Sequence, residues 1–301
     1  MSVAIAPARP ARLALAWLEL TKPRIVLLVL LTGVPALLMA GGGLPPPRVF
    51  WGAIAGITLA AASAASFNHF VDRDIDALMR RTAARPLPSG RVPPWHALAL
   101  GFALGLLSWV VLVATANLLS AVLAVASILY YAVVYSIWLK RRTPQNIVIG
   151  GGAGASAPLI AWAAVTGTVE LPAMAMAAIV FLWTPPHFWA LSLYRRDDYA
   201  RAKLPMLPVT HGEPETRRQI LLYSLALVPT TLALLPLGAA GPLYGVPAAV
   251  LGVAFVAQAE RLRRSASSAH AIALFRFSIL YLFLLFLLLL ADAGVRSRTI
   301  P

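Results

Sequence analysis

Residues 51–76 read WGAIAGITLAAASAASFNHFVDRDID. The first nineteen, Trp51 to His69, contain no carboxylate, lysine or arginine. An uncharged apolar run of this kind predicts a membrane-spanning helix, which needs about 20 such residues. Its far end carries Asn68, Asp72 and Asp76. A helix turns about 100° per residue, so steps of four drift by only about 40° and the three side chains share one face. Asp74 falls on the opposite side and is expected to be solvated or paired with Arg73 or a neighbour; Asp76 and Arg80 stand at i,i+4 spacing. Carboxylates at membrane depth are costly, which makes the stripe a candidate functional site. Ordinary surface ion pairs at a helix end are the competing reading for any one of these acids.

The rest of the chain fits that first helix. Of 301 residues, 60% are hydrophobic and 12% are charged, and the mean hydropathy is +0.79. A water-soluble domain of this size has no use for so much apolar surface. Apolar runs separated by charged or Gly/Pro-rich breaks predict an all-α, polytopic membrane protein with about nine transmembrane helices. They fall near 25–40, 49–70, 96–114, 118–139, 146–166, 172–193, 218–238, 243–259 and 270–291. The domain reading is a cytoplasmic N-terminal segment (1–24), a membrane domain (25–291) and an extracytoplasmic tail (292–301).

The formal charge of +14 belongs mostly to the connections: 21 of the 25 lysines and arginines lie at 9–24, 73–91, 140–142, 195–218 and 261–264. The alternate connections are nearly free of them. This is the positive-inside pattern, with a cytoplasmic N-terminus, and it accounts for the charge without nucleic acid. No cleavable signal peptide is evident, and a bacterial inner (plasma) membrane is favoured over a mitochondrial inner membrane. With no cysteine, thiolate metal sites and cysteine nucleophiles are excluded.

Asn68, Asp72 and Asp76 offer oxygen to a divalent cation, and Mg2+ takes one or two carboxylates together with substrate phosphates and water. The ion reverses the repulsion that bare carboxylates exert on a diphosphate. Arg80, Arg81 and Arg85 follow closely, and guanidinium forks suit phosphate oxygens. A lipid diphosphate at the membrane surface is the natural ligand, its tail running among the helices. A second cluster, Arg195-Arg196-Asp197-Asp198, precedes Arg201 and Lys203 and repeats the ingredients. Asp198 is the preferred metal ligand there, and Lys203 a phosphate counter-charge. Both clusters end in a Leu-Pro…Gly turn, which suggests an internal repeat.

At these residues the chain resembles the UbiA-type intramembrane aromatic prenyltransferases, which carry Asn-x3-Asp-x3-Asp after the second helix and another acidic motif after the sixth. Residues 68–76, 79–82, 85–90, 143–151, 185–189, 198–199 and 205–209 are similar to the haem-farnesylating branch of that family, and the resemblance covers about residues 17–290. It implies Mg2+-dependent transfer of farnesyl from farnesyl diphosphate to a vinyl group of haem B, yielding haem O. Asp72, Asp76 and Asp198 would be catalytic. Asn68, Asp72, Asp76 and Asp198 would hold metal. Asn68, Arg80, Arg81, Arg85, Asn146, His187 and Lys203 would bind substrate. Haem A synthase or oxidase-assembly proteins are the implied recipients of the product. One departure stands out: the wider family often has Asp-x3-Asp in its second motif, whereas Ala202 follows Asp198 by four and Arg201 follows Asp197 by four.

Other residues admit two readings. His69 and His187 can face haem iron or diphosphate, or serve local packing. Asn146 can cap a helix or meet an anion. Trp183, Phe188, Trp189 and Tyr194 can wall a pocket or form an interfacial aromatic belt. Gly150-Gly151-Gly152 lacks the strand and Gly-Lys-Ser/Thr of a phosphate loop and is read as a helix-packing surface. Two further functions compete: prenyl transfer to another aromatic or quinone-precursor acceptor, and secondary transport. Transporters place charge near midplane, whereas these acids cluster at helix ends.

Overall fold

The computed structural model describes residues 10–299, with side chains from Leu13 to Arg296; Arg9 and the side chains of Arg12 and Arg298 lie outside the described residues. The described residues are all-helical, as expected. In order they form α1 (Pro10–Leu20), α2 (Pro23–Ala40), α3 (Pro47–Leu78), α4 (Pro94–Thr115) and α5 (Leu118–Leu129), which continues as a π-helix over Tyr130–Leu139. Then come α6 (Asn146–Gly154), α7 (Ser156–Thr166), α8 (Leu171–Tyr194), α9 (Arg196–Arg201) and α10 (Leu207–Thr210). The chain closes with α11 (Gly212–Leu232), α12 (Pro242–Ser265) and α13 (Ser268–Thr299).

Eight helical segments among the described residues are long and apolar enough to span a membrane. The expected span that is not among these eight, 218–238, corresponds to α11. It begins six residues earlier than expected, and Glu213, Glu215, Arg217 and Arg218 in its first two turns lower its hydropathy. It still packs as a member of the bundle, between α8 and α12. The last expected span also differs: α13 runs on to Thr299, so most of the expected tail continues the helix. Asp292 inside it accepts backbone N–H bonds from Gly241 (2.8 Å) and Tyr244 (3.3 Å), satisfying the N-terminus of α12.

Neighbouring helices pack in sequence, and α13 returns to α2, closing a ring. Small residues set its tightest seam. A Cβ on Gly52 would sit 1.9 Å from the Thr115 hydroxyl, and one on Gly56 would sit 2.4 Å from Leu112, so only glycine lets α3 and α4 approach this closely. Ser63 and Ser108 donate across the seam to the carbonyls of Gly101 (2.7 Å) and Gly56 (2.8 Å). Such interhelical bonds contribute about 0.6 kcal/mol each in a membrane.

α1 is an element that the hydropathy pattern did not reveal. It buries Ala16 and Leu20 against Leu87 and Val92 of the α3–α4 connection and Ala97 at the start of α4. Its other face leaves Leu13, Leu15 and Leu18 exposed. Arg91 forks onto Glu19 at 2.7 and 3.1 Å, tying that connection to α1; the bond raises the arginine's pKa further. A short amphipathic helix of this kind has too few apolar residues to register as a span.

Candidate active site

α3 continues eight residues beyond the expected span, to Leu78. Asn68, Asp72 and Asp76 therefore do lie on one helical face, and all three are buried. Asp74 points the other way and is exposed, but its partner is Arg141, bonded through both guanidinium nitrogens at 2.7 and 2.8 Å. Arg73 instead donates to the Phe70 carbonyl. Asp76 pairs with Arg85 at 2.6 Å and not with the i,i+4 Arg80, because the chain turns sharply after Met79 and brings Arg85 back over the helix end.

A chain of hydrogen bonds fixes the stripe. Lys22 Nζ donates to Asn68 Oδ1 at 2.6 Å, and Asn68 Nδ2 donates to Asp72 Oδ2 at 2.6 Å and to Ser136 Oγ at 3.1 Å. Lys140 Nζ also donates to Asp72 Oδ2. One oxygen of each carboxylate is thus occupied. The other, Oδ1 of both Asp72 and Asp76, is buried with no hydrogen-bond partner among the described residues. A buried acceptor left without a partner costs about 1–3 kcal/mol, which a cation meeting it would recover. Among the described residues no three His, Asp or Glu side chains converge on one metal position. Two carboxylates with open oxygens still suit a hard cation that completes its shell with phosphate and water.

These groups line a cavity of about 340 Å³. Four basic side chains, Lys22, Arg81, Arg85 and Lys140, face two carboxylates there, so its polar end carries net positive charge even with Lys22 neutral. Burial, helped by Arg85 and opposed by Asp72, pushes the Lys22 ammonium down to about 7. Most of the remaining wall is apolar, with Ile25, Leu28, Val29, Val180, Phe188 and Leu282 among its residues, and Thr32, Thr184 and His187 interrupt it. A smaller cavity of about 100 Å³ shares Lys22, Ile25, Val29, Tyr131 and Gly154 with it and is floored by Ala60, Ala61, Ala64 and Ala157. Gly150 gives the Tyr135 ring its place on the wall; a Cβ there would meet the ring at 2.3 Å.

Of the residues singled out in the sequence, Asn68, Asp72, Asp76, Arg81, Arg85 and His187 surround this cavity. Arg80 and Lys203 are exposed and outside it. Asp198 also lies off the cavity wall, and Arg201 holds its carboxylate. Asn146 is buried at the start of α6; its Nδ2 donates to the Thr143 carbonyl at 2.6 Å and its Oδ1 has no partner. His69 is buried beside the stripe with both ring nitrogens unpartnered, whereas His187 opens on the cavity. Trp183 and Phe188 are wall residues, while Trp189 packs into the core against Tyr223.

Sequence reasoning passed over Lys22, Tyr131, Tyr135 and Lys140. Lys22 and Lys140 look like ordinary positive-inside charge in the sequence. One signal was available for each: Lys22 directly precedes Pro23, and Lys140 ends the one span rich in tyrosine.

The pattern of the UbiA prenyltransferase family matches residues 27–290. A protoheme IX farnesyltransferase of Acidiphilium cryptum is 51% identical over 260 residues, covering 86% of this chain and 82% of the relative. Another, from a Roseiflexus species, is 49% identical over 261 residues, 86% of this chain; the chain spans about half (49%) of that relative's length. Among solved structures, one of digeranylgeranylglyceryl phosphate synthase superposes with a TM-score of 0.78 at 17% identity, covering 94% of this chain and 99% of that one. A UbiA homologue from Archaeoglobus fulgidus bound to DMAPP and Mg2+ gives 0.61 at 16% identity, over 94% and 99% of the two chains. At those identities the structures establish a common fold. The family match runs through nearly every helix of the ring: this chain belongs to the UbiA prenyltransferase family.

Proposed function

We propose that this chain transfers the farnesyl group of farnesyl diphosphate to a vinyl group of haem B, giving haem O and diphosphate. The observation that carries the donor half is the polar end of the cavity, where four basic side chains surround two carboxylates that each keep one open oxygen. A diphosphate joined to a long apolar tail matches that charge and those walls. The acceptor rests on relatives named protoheme IX farnesyltransferase that are about half identical over most of the chain.

Asp72 and Asp76 are the residues that would hold magnesium. When bound, the ion supplies the positive charge that makes diphosphate a good leaving group. Asn68, gripped by Lys22, and Lys140 hold the Asp72 carboxylate so that Oδ1 stays turned to the cavity. Arg85 does the same for Asp76. Arg81, Arg85, Lys22 and Lys140 complement the charge that grows on the diphosphate as the C–O bond to farnesyl C1 breaks. Its electron pair leaves with the diphosphate. The vinyl π electrons then bond to C1, water adds to the resulting cation, and the water's proton passes to the diphosphate. The apolar walls and the Tyr131–Tyr135 pair keep other water from the allylic cation.

The membrane domain sits in a bacterial inner membrane with the acidic stripe at its cytoplasmic side, and 1–24 forms a cytoplasmic segment of which α1 is a part. Asp198 acts from off the cavity wall and not as a third carboxylate on it. The test is incubation of the purified chain with farnesyl diphosphate, Mg2+ and haem B, with the haem fraction read by mass spectrometry. A haem gaining one farnesyl and one water supports the reading. Release of diphosphate with another aromatic acceptor but none with haem B overturns its acceptor half.

A further inference from the structure

His187 is held on both ring faces and at one ring nitrogen. Its ring stacks on Trp183 (centroids 4.3 Å apart, 18° between planes) and on Phe275 (4.7 Å, 24°). Its Nδ1 lies 2.7 Å from Ser278 Oγ. The single proton of that hydroxyl is directed to the Phe275 carbonyl at 2.7 Å, so Oγ accepts and Nδ1 carries the ring proton. Trp183 Nε1 donates to the Ser278 carbonyl at 2.7 Å, which fastens α8 to α13 at the same point. Nε2 is then left with a lone pair. It has no hydrogen-bond partner among the described residues, and the ring opens on the large cavity.

A neutral imidazole with Nδ1–H fixed by an outer partner and Nε2 presented to a cavity is the arrangement of a metal-ligating histidine. His69 lacks the opening: both its ring nitrogens are buried, and it does not line the cavity. We infer that His187 Nε2 is the axial ligand to the iron of the haem acceptor, with Ser278 as the positioning residue that fixes its tautomer. The inference rests on the farnesyl-to-haem reading above. Ligation donates the Nε2 lone pair to iron, and the Nδ1 proton stays in place. Haem would thus be anchored at the α8–α13 wall of the cavity, whose other end is the acidic stripe that holds the diphosphate.

The experiment is titration of the full chain, in lipid nanodiscs, with ferric haem B and no prenyl diphosphate. Binding is followed by the Soret band and by electron paramagnetic resonance. Wild type should show an imidazole-ligated spectrum. His187→Ala should lose that signature, and added free imidazole should restore it. Ser278→Ala should keep the ligand but bind haem about 10-fold more weakly, as when an outer partner of a metal ligand is lost. His69→Ala should leave the spectrum as in wild type. His187→Met provides a second replacement of similar bulk and must also move the band. Wild-type spectra from both His187 variants, or loss of the signature in His69→Ala, would overturn the ligand assignment while haem farnesylation by wild type stands. Absence of both haem binding and haem product in wild type would overturn the proposed acceptor first, and this assignment with it.

Discussion

The two acidic clusters look alike in sequence and differ in the fold. Asp72 and Asp76 ride on a 32-residue helix whose length carries the stripe into the bundle. Lysines from two other connections reach that stripe. Asp197 and Asp198 sit on the six-residue helix α9, where Asp197 is exposed and Asp198 is turned to its own neighbour, Arg201. A long helix converts four-residue spacing into a buried face, whereas a short one leaves the same residue types to local pairing. The first cluster therefore keeps open buried oxygens on the cavity wall, whereas in the second Asp198 is buried against Arg201 and off that wall.

The sharpest way to break this contrast is Asp72→Asn, which keeps shape and removes the charge. It should lower kcat by about 10²–10³, as for loss of one group stabilising transition-state charge, with helical content and monodispersity unchanged. Near-normal turnover would place the metal elsewhere. Next comes Lys140→Met. Breaking a buried ion pair leaves the Asp72 charge uncompensated, at a cost of about 3–5 kcal/mol. Magnesium should therefore raise the melting temperature of this variant more than that of wild type; an equal rise would mean that the ion does not meet Asp72. Asp198→Asn should reduce turnover about 10-fold or less, in line with one hydrogen-bonded charge off the cavity wall. A loss matching that of Asp72→Asn would make the two clusters equivalent. Asp74→Asn removes an exposed pair with Arg141, and surface pairs contribute little. Farnesyl transfer should stay within about twofold of wild type, since such a pair is worth under about 1 kcal/mol; a larger loss would show that both faces of the helix end take part.

Much of this was legible in the sequence. Apolar runs located the helices because each must satisfy its own backbone in lipid, which ties span length to bilayer thickness. The four-residue spacing gave the stripe because helical geometry is local. Asp74 was assigned correctly to the far side, but its partner was not, since Arg141 comes from a connection 67 residues away. Helical spacing pointed to Arg80 as the partner of Asp76, and the turn after Met79 gives that place to Arg85 instead. α1 was missed because its one buried edge has meaning only against Leu87 and Val92.

By itself the sequence determined that this is an all-helical membrane protein, which end of its second span carries acids, and to which family its motifs belong. Those features depend on residue type and on spacing within a single helix. Only the tertiary structure decided that Lys22 and Lys140 close on the stripe, that Asp198 pairs with Arg201 off the cavity wall, and that His187 rather than His69 opens on the cavity. Each of these depends on which helices the ring brings side by side, and packing between distant segments leaves no periodic trace in the chain.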